Sequence, residues 1–339
     1  MKKFTVGLPI SENEAFIQSI IKHKDRISEV YFSWGSFPSG RSAQNGYVTP
    51  WEAQARQIDV LNRLSSEGLA FNLLFNANCY GDMATARALY EQIGETVDYV
   101  NERYRLASVT TTSPLIAKFI KNNFNGVKTR ASVNMEIGSV EGFCYLEDYF
   151  DGFYMKREYN RNLRIIKKLR AWCDECGKEL FMLANSGCLN NCSAHVFHDN
   201  LVAHEKSIAT KDNAYGFDGV CREYFSKSDR ERSYLRLTNF IRPEDLCLTE
   251  GYFDGIKLAT RVNPNPVRIL EAYMNAHHSG AVTSLLEPDH TGLFYPKLIE
   301  NSKIDPTWVK TVLSCNKDCR ACGFCDRTTE NAIIKLEDI

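Results

Sequence analysis

Eight short apolar runs recur along the chain, most of them separated by a helix-like stretch, and that alternation is what most constrains its fold. The runs are Phe4–Leu8, Glu29–Ser33, Ala70–Phe75, Leu106–Val109, Thr129–Val133, Gly152–Met155, Leu180–Ala184 and Gly255–Ala259. A strand–helix alternation carried to eight units is the pattern of a (β/α)8 barrel. A doubly wound open sheet is the alternative, but no glycine-rich phosphate loop follows the first run. The fold class expected is therefore α/β, a TIM-like barrel.

Helix signals agree with this reading. Ser11-Glu12-Asn13-Glu14 reads as a capping box ahead of Phe16, Ile17, Ile20 and Ile21. Thr49 caps a helix that opens on Pro50 and stops at Gly68. Residues 82–93 and 114–124 read as helices too. Leu163, Ile166, Leu169 and Trp172 mark another, ended by Gly177. Two segments depart from the alternation. Residues 185–250 form an insertion between the seventh and eighth strands, far longer than an ordinary loop. Residues 305–339 form a Cys-rich tail, too short to hold a core without a metal or cluster. The expected division is a barrel over 1–304, insertion included, and a metal- or cluster-binding tail over 305–339.

Composition narrows the setting. With 41 Lys+Arg against 42 Asp+Glu the net charge is −1, which speaks against a general nucleic-acid or membrane-surface binder. No apolar run reaches the ~18 residues a spanning helix needs, and the opening apolar run breaks at Pro9, too early for a secretion signal. A cytoplasmic setting is expected. In a reducing compartment twelve cysteines are metal ligands or catalysts more readily than disulfides.

Eight of the twelve fall in the insertion and the tail. Cys315, Cys319, Cys322 and Cys325 stand within eleven residues, close enough for one centre. That spacing is nearer a ferredoxin-type run for [4Fe–4S] than a zinc ribbon, with zinc as the alternative. Cys188 and Cys192 follow the seventh strand at the C-terminal mouth of the barrel, where catalytic groups collect; Cys221 and Cys247 come later in the insertion. Cys79 follows the third strand and so also points to the mouth. Cys144, Cys173 and Cys176 read as structural: the Cys173–Cys176 pair ends a helix, whereas a redox motif opens one.

The order of these residues resembles the U32, or collagenase-like, peptidase family. The matching stretches are Gly187-Cys188, Cys192-Ser193, Gly219-Val220-Cys221-Arg222, Asp245-Leu246-Cys247 and the strand Gly255-Ile256-Lys257-Leu258-Ala259-Thr260-Arg261. Ala259 and Thr260 stand where that family strand has Glu and Gly, which marks a divergent branch. The resemblance implies that Cys188, Cys192, Cys221 and Cys247 bind one [4Fe–4S] cluster, the tail quartet being a separate feature. It also implies oxygen-independent hydroxylation of a small molecule or RNA, with prephenate as a candidate hydroxyl donor.

Several side chains near the mouth are candidates for the chemistry. His195 and His198 would move protons; Arg157, Lys257 and Arg261 would hold carboxylates of an anionic small-molecule substrate. Between 156 and 170 stand seven Lys/Arg and one Glu, of which Arg157, Glu158 and Arg161 fall at the strand–loop junction. Lys156, Asn76, Asn78, Asn134 and Glu136 are weaker candidates, and Tyr31, Trp34 and Phe37 are candidate stacking surfaces. An RNA substrate has no support from the charge balance. Two other readings stand beside the hydroxylase: a peptidase, though no His-Glu-x-x-His zinc motif or nucleophile–base pair is legible, and a non-catalytic iron–sulfur partner subunit.

Overall fold

The computed structural model describes residues 3–9, 13–35, 37–40, 49–211 and 215–336. Eight parallel strands close into a barrel in chain order: β1 (Phe4–Gly7), β2 (Ile27–Phe32), β3 (Ala70–Phe75), β4 (Leu106–Thr111), β5 (Lys128–Ala131), β6 (Gly152–Tyr154), β7 (Glu179–Leu183) and β8 (Gly255–Leu258). Closure is made by β1 pairing with β8, Thr5 opposite Lys257. The strands are almost wholly buried, as expected where side chains fill the inside and helices cover the outside.

The outer layer is α1 (Glu14–Lys22), α2 (Pro50–Ser66), α3 (Arg87–Arg103), α4 (Pro114–Asn123), the short α5 (Val140–Cys144) and α6 (Leu163–Cys176). The insertion carries α7 (His195–Ala203), α8 (Glu205–Ile208), α9 (Val220–Phe225) and α10 (Tyr234–Leu237), and α11 (Pro266–Asn275) follows β8. The tail holds α12 (Trp308–Ser314), α13 (Cys319–Cys322) and α14 (Phe324–Ala332). After it, β10 (Ile333–Lys335) pairs antiparallel with β9 (Lys297–Ile299).

The capping signals mostly hold. Thr49 and Glu52 form a capping box at α2, and Gly177 caps α6 in the left-handed conformation. Ser11 lies outside the described residues; Asn13 caps α1 by accepting from the Phe16 amide at 2.9 Å. The helix expected over 82–93 is broken. A 3-10 turn, Gly81–Thr85, gives way to extended backbone at Ala86, and α3 runs on to Arg103.

The barrel is plugged below its mouth by polar groups. Arg130 on β5 crosses to Glu29 on β2 (Nη2–Oε1 2.8 Å), Ser108 donates to Glu29 at 3.0 Å, and the guanidinium lies 4.2 Å over Phe181. At the mouth, Asn185 sutures β7 to β8. It accepts from the Ala259 amide at 2.7 Å and donates to the carbonyls of Ala259 (3.0 Å) and Leu285 (2.9 Å). Thr260 ties β8 to β1, accepting from the Gly7 amide at 2.8 Å and donating to the Gly7 carbonyl at 2.9 Å. The tail packs on the insertion. Trp308 is fully buried, Arg236 pairs with Asp326 at 2.8 Å, and the Lys317 ammonium donates to the Arg161 carbonyl at 2.6 Å.

Candidate functional site

The C-terminal ends of the strands surround a cavity of about 70 Å³, room for roughly a few waters or a small ligand group. Its wall includes Tyr31, Asn76, Asn134, Arg157, Lys257, Arg261, Asp199 and Glu287. Lys257 comes from inside β8 and is only 8% exposed. Its ammonium lies 4.1 Å from the centre of the Tyr31 ring and 5.3 Å from that of Tyr154. Gly7 makes this possible: a Cβ there would fall 2.5 Å from the Tyr31 ring, which lies across β1 and donates to the Leu258 carbonyl at 2.8 Å. Burial, with Arg261, Arg157 and Arg130 adding repulsion, pulls the Lys257 amine down to about 7.

Beside the cavity runs a charged chain. Arg157 sets Nε 3.1 Å from Glu136, donates from Nη2 to Asn134 at 3.1 Å, and lies 3.6 Å from the Cys188 thiol through Nη1. Glu136 sits in the left-handed region just after β5 (φ 55°), turning its carboxylate towards that guanidinium. Both nitrogens of His195 face carboxylates, Nδ1 at 3.3 Å from Glu136 and Nε2 at 3.3 Å from Asp199, and Asn78 donates to Asp199 at 3.3 Å. Burial alone would lower the His195 pKa, but these two carboxylates outweigh it and raise it to about 9. In turn His195, Arg157 and Lys156 overcome the effect of burial on Glu136 and keep its carboxyl below the ordinary range. The arrangement holds an imidazolium, a proton donor, at the rim.

The other sequence candidates are dispersed. His198 packs edge-on against Phe217 (5.7 Å between ring centres) and beside Gly219, inside the insertion, and is not part of the cavity wall. Trp34 and Phe37 are core residues, packed against Tyr99 and Phe75, so Tyr31 alone of the three aromatic candidates faces the cavity. Lys156 is held by Glu158 at 2.8 Å. Arg161 does not face the mouth. It is buried towards the tail, donates to the Leu235 carbonyl at 2.9 Å and lies 4.8 Å from the Trp308 ring. Asp199 and Glu287 were missed, yet Asp199 stands four residues after His195, on the same helix face, which the spacing alone could have flagged.

The cysteines divide as follows. Cys188 touches Arg157, and Cys192 lies near Cys188 and Glu158. Cys188 and Cys221 both lie close enough to the buried Tyr234 to reinforce the effect of burial, which holds its hydroxyl well above the usual range. Cys247 is elsewhere: exposed, it donates to the Glu244 carbonyl in the turn Pro243–Leu248, on the approach to the N-terminal end of β8. Cys79 sits in the loop after β3 and accepts from the Gly81 amide. In the tail, Cys315, Cys319 and Cys325 lie around the Arg161 guanidinium, and Cys322 neighbours Cys319. Burial pulls Arg161 down to about 10. Among the described residues, no three Cys, His, Asp or Glu side chains converge on one point as they stand. The donor chemistry nevertheless suits thiolate-bound centres, because both thiol groups border buried guanidinium groups that would balance their negative charge. Burial raises the Cys173 thiol to about 12, as befits an inert core residue.

No family model matches the chain. It is 25% identical over 326 residues to an uncharacterized protease of Methanocaldococcus jannaschii, MJ1657, covering 92% of this chain and 90% of that protein. Its fold is similar to that of the U32 peptidase Mk0906, with a TM-score of 0.56 and 13% identity, over 76% of this chain and 92% of that structure. The likeness to Mk0906 is one of fold, and the likeness to MJ1657 runs through nearly the whole of both chains. At the two positions that depart from the U32 strand pattern, Thr260 and Ala259 have structural work of their own: they are the points at which β8 is tied to Gly7 and to Asn185.

Proposed function

We propose that the protein is a cytoplasmic, iron–sulfur-dependent enzyme that acts on a small carboxylate-bearing anion at the barrel mouth, with oxygen-independent hydroxylation as the reaction class. The observation that carries this reading is the meeting of Lys257, Arg261 and Arg157 on one small cavity, with Cys188 in contact with Arg157. A guanidinium binds a carboxylate at two points, and a site enclosed this way strengthens each contact. His195, held between Glu136 and Asp199, would deliver a proton at the rim. Cys188, Cys192 and Cys221 would hold a cluster, which when bound supplies electron transfer or polarises an oxygen substituent. The fourth ligand would be Cys79, Cys247 or a non-cysteine group. The tail thiols of Cys315, Cys319, Cys322 and Cys325 would hold a second centre, [4Fe–4S] or zinc.

Anaerobic purification with iron, sulfide and zinc analysis tests the reading. About eight irons with matching sulfide support two clusters, and about four support one. Zinc alone at both places would sink the proposal. Cys188→Ala and Cys322→Ala should each remove one centre independently. Loss of the mouth cluster in Cys79→Ala but not in Cys247→Ala would assign the fourth ligand. The names of both relatives, a protease and a peptidase, favour a second reading, peptide hydrolysis. Gelatin cleavage that survives removal of iron would support it over the hydroxylase.

A further inference from the structure

A buried lysine needs a reason. Taking an ammonium out of water costs more than a cation–π contact returns. Tyr31 and Tyr154 therefore do not offset the burial of Lys257. Among the described residues no carboxylate forms an ion pair with its Nζ. Of the two acidic residues in the cavity wall, Asp199 is engaged by His195 and Asn78, and Glu287 has contacts of its own. Among the described residues, the charged groups that shift the amine are Arg261, Arg157 and Arg130, all cations. An amine desolvated among cations is the arrangement that makes lysine a nucleophile near neutral pH.

We propose that Lys257 is an imine-forming residue, its Nζ adding to the carbonyl carbon of a 2-oxo carboxylate whose carboxylate is held by Arg261 and Arg157. The proposal rests on the reading of the mouth as a carboxylate site and names the substrate class for it. The neutral amine donates its lone pair to the carbonyl carbon, and the C=O π pair moves to oxygen. A proton passes from nitrogen to that oxygen, giving a carbinolamine. The hydroxyl then leaves with one further proton as water while the nitrogen lone pair forms C=N. No oxidant or reductant is consumed. With its pKa near 7, about half of Lys257 is neutral at pH 7, against roughly one in 10³ of an ordinary lysine. The cavity of about 70 Å³ suits a head group of a few heavy atoms, such as C–CO–COO⁻.

The test uses the full chain, purified anaerobically, with pyruvate as the probe and sodium borohydride as the trap. The expected result is one reduced pyruvyl group per chain, mapped by peptide mass spectrometry to Lys257 and slowed by lactate, which has the carboxylate but no carbonyl. Lys257→Arg and Lys257→Met should both lose the label while keeping the wild-type circular dichroism. Arg261→Gln should raise the pyruvate concentration for half-labelling by about tenfold. Label spread over other lysines and unchanged in Lys257→Arg would overturn the proposal. Pyruvate and lactate both binding by calorimetry, with no label, would overturn the imine and leave the carboxylate site standing. Neither binding would overturn both.

Discussion

Lys257 and His195 titrate in opposite senses, so the two residues predict opposite pH dependences of stability. The Lys257 amine is lowered to about 7 in the fold. Its ammonium therefore destabilises the native state fully below pH 7, and the penalty fades as pH rises towards the unfolded value near 10.4. Lys257→Met should raise stability by about 1–4 kcal/mol at pH 6, with the gain shrinking by pH 10 in urea titrations at each pH. His195 is raised to about 9 by Asp199 and Glu136. Its contribution is fully present below the unfolded pKa near 6.5 and is lost as pH rises through 9. His195→Gln should therefore cost about 1–3 kcal/mol at pH 6 and little at pH 10. NMR titration of the His195 ring should show a midpoint near 9. A midpoint near 6.5 would remove the imidazolium from the rim.

At the scale of elements, the closure of the barrel is reinforced by a side chain that follows a strand end. Thr260 makes both its hydrogen bonds to the Gly7 backbone and is fully buried. Thr260→Val keeps the shape but strands the Gly7 amide and carbonyl, and should cost about 1–3 kcal/mol in chemical denaturation. The change should also loosen Tyr31, because Gly7 is the residue its ring crosses. All eight strands were legible, since strands buried on both faces read as short apolar runs. Helix ends marked by Thr49 and Gly177 were legible through their caps. The break at Ala86 was not, because no Gly or Pro announces it and alanine favours helix. The insertion was visible only as a length. Its short helices lack a sustained apolar stripe of their own and take their positions from the tail and the mouth.

For the whole molecule, the tail and the barrel communicate through Arg161 and Trp308. Arg161, in the turn between β6 and α6, lies over the ring of Trp308 of α12, and its carbonyl accepts from Lys317 between Cys315 and Cys319. Trp308→Ala should cost about 3–5 kcal/mol and expose residues beyond 304 to limited proteolysis. Borohydride labelling at Lys257 should persist, because the two sites share no side chain. No helix among the described residues is long and apolar enough to cross a membrane. The sequence by itself determined the barrel, the placing of Lys257, Arg261 and Arg157 at its mouth, and the grouping of thiols in the insertion and the tail. Strand period and local spacing are properties of neighbouring residues, and such signals survive in one dimension. Only the tertiary structure decided that Arg161 turns to the tail, that Cys247 lies exposed in the turn before β8, and that Glu136 reaches His195. The contacts of Arg161 and Glu136 each span many residues of chain, and they are set by which buried charge finds a partner in the closed fold.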